Sequence, residues 1–120
     1  MDMHLDIKLT MPLSGRGKPV MYWAETEGSY MVQWGNISFA VNQEQIDKIL
    51  GEYFQDAAQW YPLGASMTKP VAGGLGEYIQ EQFPPFGPRH ASAIAAIMVN
   101  EGWLEAQGKN PIRLRRILPV

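Results

Sequence analysis

The sequence predicts an α+β protein, with an N-terminal antiparallel β-meander packed by one helix, then a helix-turn-helix and a C-terminal β-hairpin. Three observations carry that expectation. Apolar and polar residues alternate with period two through most of the chain up to Val41, a helical spacing takes over from Ile46, and two more helical stretches precede a last pair of alternating runs.

The chain has 120 residues, 46% of them apolar. That is enough for one hydrophobic core and too little for two. A single domain over residues 1–120 is expected, made of a sheet and helix at 1–59, a linker at 60–74 and a helix-turn-helix with hairpin at 75–117. Cysteine is absent, which excludes disulfide staples, thiolate metal sites and cysteine nucleophiles. The longest apolar run, residues 93–99, is far short of the roughly 18 residues of a spanning helix, so a soluble, cytoplasmic chain that does not enter membranes is expected.

The elements follow in order. Leu5, Ile7 and Leu9 alternate with Asp6, Lys8 and Thr10, the pattern of a strand with one buried face. A Gly- and Pro-rich loop over residues 12–19 leads to residues 20–24, which carry bulky groups on both faces and so suit a more central strand ending in a turn at Glu27-Gly28. Residues 30–41 are two alternating runs around Gly35-Asn36, the mark of a two-residue hairpin whose first turn residue has positive φ. Trp34 then faces Ile37, Val32 faces Phe39 and Tyr30 faces Val41, placing all six on one side.

Asn42 with Gln45 predicts a capped helix start, and Ile46, Ile49, Leu50, Tyr53 and Phe54 form its apolar stripe. Gly51 within that stripe points to a kink or a close contact. Residues 60–74 hold two Pro and three Gly without periodicity and are expected to be a linker. Leu75, Tyr78, Ile79 and Phe83 make a short helical stripe that stops at Pro84-Pro85, and a further helix is expected from Pro88 to a C-cap at Gly102. Residues 103–106 and 112–117, around a turn at 107–110, predict a closing hairpin with Arg113 and Arg115 on one face.

Charge is uneven along the chain. The net charge is −2, but residues 61–120 carry an excess of cations gathered at Arg89, Lys109, Arg113, Arg115 and Arg116. The order short helix, turn, helix and hairpin over residues 73–117, with a Gly-Lys tip ahead of these arginines, resembles a winged-helix module. That resemblance implies a nucleic-acid partner, with residues 88–100 as recognition helix, Arg89 and His90 as its leading contacts, and Lys109, Arg113, Arg115 and Arg116 on phosphate. Yet between Ala91 and Val99 only Ser92 is polar. A helix apolar nearly all round belongs in a core or an oligomer interface, whereas a groove-reading helix offers polar side chains to base edges.

Chemistry-bearing patterns are sparse. Residues 65–71, Ala-Ser-Met-Thr-Lys-Pro-Val, resemble the Ser-x-x-Lys segment of serine β-lactamases and related esterases, in which the serine attacks a carbonyl and the lysine helps remove its proton. Ser-Asp-Asn, Tyr-x-Asn and Lys-Thr-Gly partners are missing, and Pro70, Gly73 and Gly74 discourage the required helix. Chance agreement in a loop is the reading, and the chain is not expected to be an enzyme. His4 and His90 have no metal-ligand spacing, and the pairs Glu25 with Glu27 and Glu77 with Glu81 read as solvated faces, so no cofactor or metal is expected. Gly73-Gly-Leu-Gly76 offers backbone N–H groups to an anion at a helix start but lacks a dinucleotide-binding pattern.

The expected function is therefore binding. The leading reading is a protein-interaction module that forms a homodimer through helix 88–101. A winged-helix DNA binder is the first alternative, and a small-molecule pocket lined by Trp23, Trp34, Trp60 and Tyr61 is the second.

Overall fold

A computed structural model of the chain describes residues 6–25, 28–109 and 111–117. His4, Leu5, Glu27 and Asn110, which entered the sequence expectations, lie outside the described residues.

The N-terminal half is a four-stranded antiparallel meander in the order β1 (Lys8–Thr10), β2 (Val20–Ala24), β3 (Tyr30–Trp34) and β4 (Ile37–Val41). The hairpin joining β3 to β4 has the predicted register, pairing Trp34 with Ile37, Val32 with Phe39 and Tyr30 with Val41. Gly35 turns it with φ of 61°, a conformation open to glycine at little cost. Bulky residues on both sides of β2 match its central place between β1 and β3.

Helix α1 (Gln43–Lys48) starts at the predicted capping box: the Gln45 N–H donates to Asn42 Oδ1 at 2.8 Å, and the Asn42 N–H donates to Gln45 Oε1 at 2.9 Å. It passes into a π-helical turn, Ile49–Tyr53, around Gly51. Of the two expected roles for Gly51 the close contact is excluded, because a side chain there would meet nothing within 4 Å.

Residues 60–74 differ from the expected linker in one respect. They contain a short strand, β5 (Tyr61–Pro62), which joins the C-terminal hairpin β6 (Leu104–Gln107) and β7 (Arg113–Arg116) in a second sheet ordered β5-β7-β6. Two residues, one of them Pro, carry no period-two signal; β7 supplies the pairing partner from across the chain.

Helix α3 (His90–Asn100) lies between the sheets, touching β1 and β2 of the first and β6 of the second, and α2 (Leu75–Gln82) packs on α3. Gly76 permits the start of α2 to seat closely against the 60–74 segment, since a Cβ there would stand 2.2 Å from the Gly64 carbonyl oxygen. Helix α3 lies against β1, β2 and α2, and its residues Ala91 and 93–98 are all buried. One continuous core draws Val20, Tyr22, Val32 and Phe39 from the first sheet, Ile46, Ile49 and Phe54 from α1 and its extension, and Leu104 and Leu114 from the second sheet. The all-apolar character of α3 is thus accounted for inside its own chain. This corrects the expectation of a dimer interface through helix 88–101: the apolar faces that suggested it are already covered.

Candidate functional site

The surface that stands out is made by the orientation of β1. Alternation shows that two faces exist without saying which is buried, and the structure turns Leu9 outward beside Met21. Lys8 points to the core side, where its ammonium donates to Glu101 Oε2 at 2.8 Å at the end of α3. The same carboxylate oxygen accepts from the hydroxyl of the fully buried Tyr22 at 2.6 Å, and Asn100 Nδ2 donates to that hydroxyl at 2.7 Å. Ionic hydrogen bonds are stronger than neutral ones, and here they tie the polar side of the strand to the end of α3.

The electrostatics agree with the geometry. Burial opposes ionisation of Glu101, but the hydrogen bonds from Lys8 and Tyr22 and the Lys8 charge outweigh it and hold the carboxyl below its usual range. The hydrogen bond to Glu101 holds the Lys8 ammonium above its ordinary value. Burial, with the neighbouring carboxylate, pushes the Tyr22 hydroxyl upward, so it stays protonated and donates.

With Lys8 and Tyr22 on the side facing α3, the opposite side of the sheet is mostly apolar. Ile7 is 53% exposed, Leu9 61%, Met11 46% and Met21 36%. Leu9 pairs with Met21 and Met21 with Gln33; Trp23 pairs with Met31 and Met31 with Ala40. Within β1 to β4 the outward positions are thus Leu9, Met21, Trp23, Met31, Gln33, Ser38 and Ala40, none of them charged. Trp23 and Met31, paired across β2 and β3, are half-buried.

The residues singled out in the sequence fall in several places. Arg89 lies just before α3 and lines a recess of about 450 Å³ with Lys18, Trp34 and Ile37. His90 is held by the fold: its Nδ1 accepts from the Gly87 N–H at 3.0 Å and its ring stacks on Phe86 at 4.8 Å. Burial is the main reason its pKa lies below the ordinary histidine value, with the Arg89 charge acting the same way. Lys109 reaches the carbonyls of Leu13 and Ser14 at 3.4 Å. Arg113 is exposed, whereas Arg115 donates to Glu105 at 2.9 Å and lies over the Trp60 ring at 4.4 Å. Arg116 is half-buried beside them, opposite Leu104.

The four proposed pocket aromatics do not share one wall. Trp23 lies on the outward face of the first sheet, and Trp34 lines the recess beside Lys18. Trp60 is covered by Arg115, and Tyr61 packs on Tyr53 and Phe54. Ser66 and Lys69 lie in a loop, where the Lys69 N–H donates to Ser66 Oγ at 3.0 Å. The glycine run has its amides engaged, that of Gly73 by Glu77, of Gly74 by Val71 and of Gly76 by Leu63.

Among the described residues, no three His, Asp or Glu side chains are grouped as metal ligands, and no helix is long and apolar enough to cross a membrane. Comparison with family models, curated proteins and solved structures finds no match.

Proposed function

We propose that the chain is a protein-interaction module that works as a homodimer, with the outward face of the four-stranded sheet as its interface. The observation that carries this reading is the exposure of Ile7, Leu9, Met11 and Met21 side by side on a face with no charged residue in its strands. These four residues offer on the order of 400 Å² of surface, within the range of the largest apolar patch a protein carries, which is often functional.

A second copy is the occupant this face suits. A two-fold interface brings each residue near its own copy or that of a neighbour, so any charge on it would meet a like charge; the strand positions of this face have none to bring together. Adding the half-buried Trp23 and Met31 and the polar Gln33 and Ser38 extends it toward the ~800 Å² per partner of a standard interface. Two such sheets pack face to face about 10 Å apart, interleaving Met and Leu side chains. Burial of α3 favours this reading over groove recognition, because residues 93–98 are turned away from any base edge.

Sedimentation velocity at tens of micromolar tests it. The chain is expected to sediment at about twice 13.5 kDa, and Leu9→Glu combined with Met21→Glu to give a monomer with an unchanged far-UV spectrum. A monomeric parent chain, or a dimer that survives both substitutions, would overturn the proposal.

A further inference from the structure

We infer that a second surface, a recess between the 60–74 segment and the C-terminal hairpin, binds a small phosphate monoester. The recess encloses about 300 Å³, at the lower end of small-molecule sites. Four separate segments build it: the loop after β1, the stretch after β5, the first turns of α3 and the β6–β7 turn.

Its polar lining has one chemical character. Lys69 and Lys109 bring two ammonium groups, and Ser14, Ser66 and Ser92 bring three hydroxyls, while among the described residues no carboxylate lines it. Among the described residues neither lysine is paired with an acid, and the Lys109 ammonium has only the Leu13 and Ser14 carbonyls, each at a long 3.4 Å. Two positive charges call for a ligand with close to two negative ones. A phosphate monoester carries about −1.5 to −2 at neutral pH and presents three strong acceptor oxygens, whereas a single carboxylate would leave one lysine unanswered.

The rest of the wall is apolar, from Leu63, Val71 and Ile112. It selects an ester over inorganic phosphate, because a compact apolar carrier displaces water there. Ser92 adds an independent indication. Between Ala91 and Val99 it is the one polar residue of a helix otherwise given over to the core, and its position is the one that opens into the recess. The Ser66 and Lys69 pair thereby has a binding role that needs no acyl chemistry.

Amide chemical-shift titrations of the intact chain with phenyl phosphate, inorganic phosphate and benzoate test the inference. Phenyl phosphate is expected to move the resonances of Gly64, Ser66, Lys69 and Ser92 at millimolar concentration and to bind more tightly than either control. Lys69→Gln and Lys109→Gln should each weaken it about tenfold, the loss of one charge-assisted contact. Both lysines are exposed, so both variants are expected to fold, and an unchanged spectrum away from the recess checks this. No shifts at these residues, equal binding of inorganic phosphate, or affinity indifferent to both substitutions would overturn it.

Discussion

The two faces of the N-terminal sheet are built from similar residues and have opposite fates. On the inner face Val20, Tyr22, Val32, Phe39 and Val41 are buried under α3 and the 42–54 helix. On the outer face Leu9, Met21, Trp23 and Met31 have no element of the described chain above them. Hydropathy alone does not separate the two. What separates them is where hydrogen-bonding groups on distant elements await the polar residues of the strands, and the clearest case is Glu101 taking Lys8 and Tyr22. An apolar face left over once those contacts are satisfied is the natural place for a partner.

Substitutions on the two faces should therefore differ in kind. Phe39→Ala removes a ring that packs edge-on against Phe86 and His90 and is expected to cost about 3–5 kcal/mol of folding stability. Met21→Ala should change the stability of the monomer by no more than about 0.5 kcal/mol while weakening self-association. Urea denaturation at several protein concentrations separates the two effects, since only the dimer contribution depends on concentration. A large concentration-independent loss for Met21→Ala would show that the outer face is also core.

The contact that sets the orientation of β1 comes next in size. Glu101→Gln leaves the buried Tyr22 hydroxyl without its ionised acceptor and should cost about 1–2 kcal/mol. Amide exchange should accelerate first in β1, which α3 holds through this contact. Uniform acceleration across all four strands would instead make the contact a general support of the fold.

Acid should act through the same inner side. Glu101 and His90 both have folded pKa values below their ordinary ones of 4.5 and 6.5. For a group depressed in this way the stabilising contribution is complete above the unfolded value and is lost as pH falls through the folded one. Stability should thus begin to fall below pH 6.5 through His90, and fall further below pH 4.5 through Glu101. His90→Gln is expected to remove the first phase only. A denaturation midpoint that is flat from neutrality down to the carboxylate range would contradict the role given to His90.

How legible all this was in the sequence depends on distance along the chain. The 30–41 hairpin and the Asn42 capping box could be read to the residue because their partners lie within a few positions of one another. Strand β1 could be read as a strand but not oriented, since period two shows that two faces exist without saying which meets the core. Its deciding partner, Glu101, lies 93 positions away. Strand β5 left no local mark because pairing with β7 alone makes it a strand. The basic residues near the C-terminus were visible as a cluster, but only the fold divides them, committing Arg115 to Glu105 and Trp60 and carrying Lys109 toward Ser14. Ser92 was visible as an interruption in an apolar helix, a signal that carried no direction until the recess beside it was formed.

The central claim is that the outer sheet face meets its own copy, and the absence of cysteine allows one nitroxide label per chain to test it. With sheets about 10 Å apart and strands about 4.8 Å apart, labels at Gln33→Cys in two copies should lie within about 20 Å of each other. Strong dipolar broadening between copies at that position, absent when the label is moved to Arg113→Cys on the second sheet, is the predicted result. Broadening at Arg113→Cys with none at Gln33→Cys, or none at either, would contradict it.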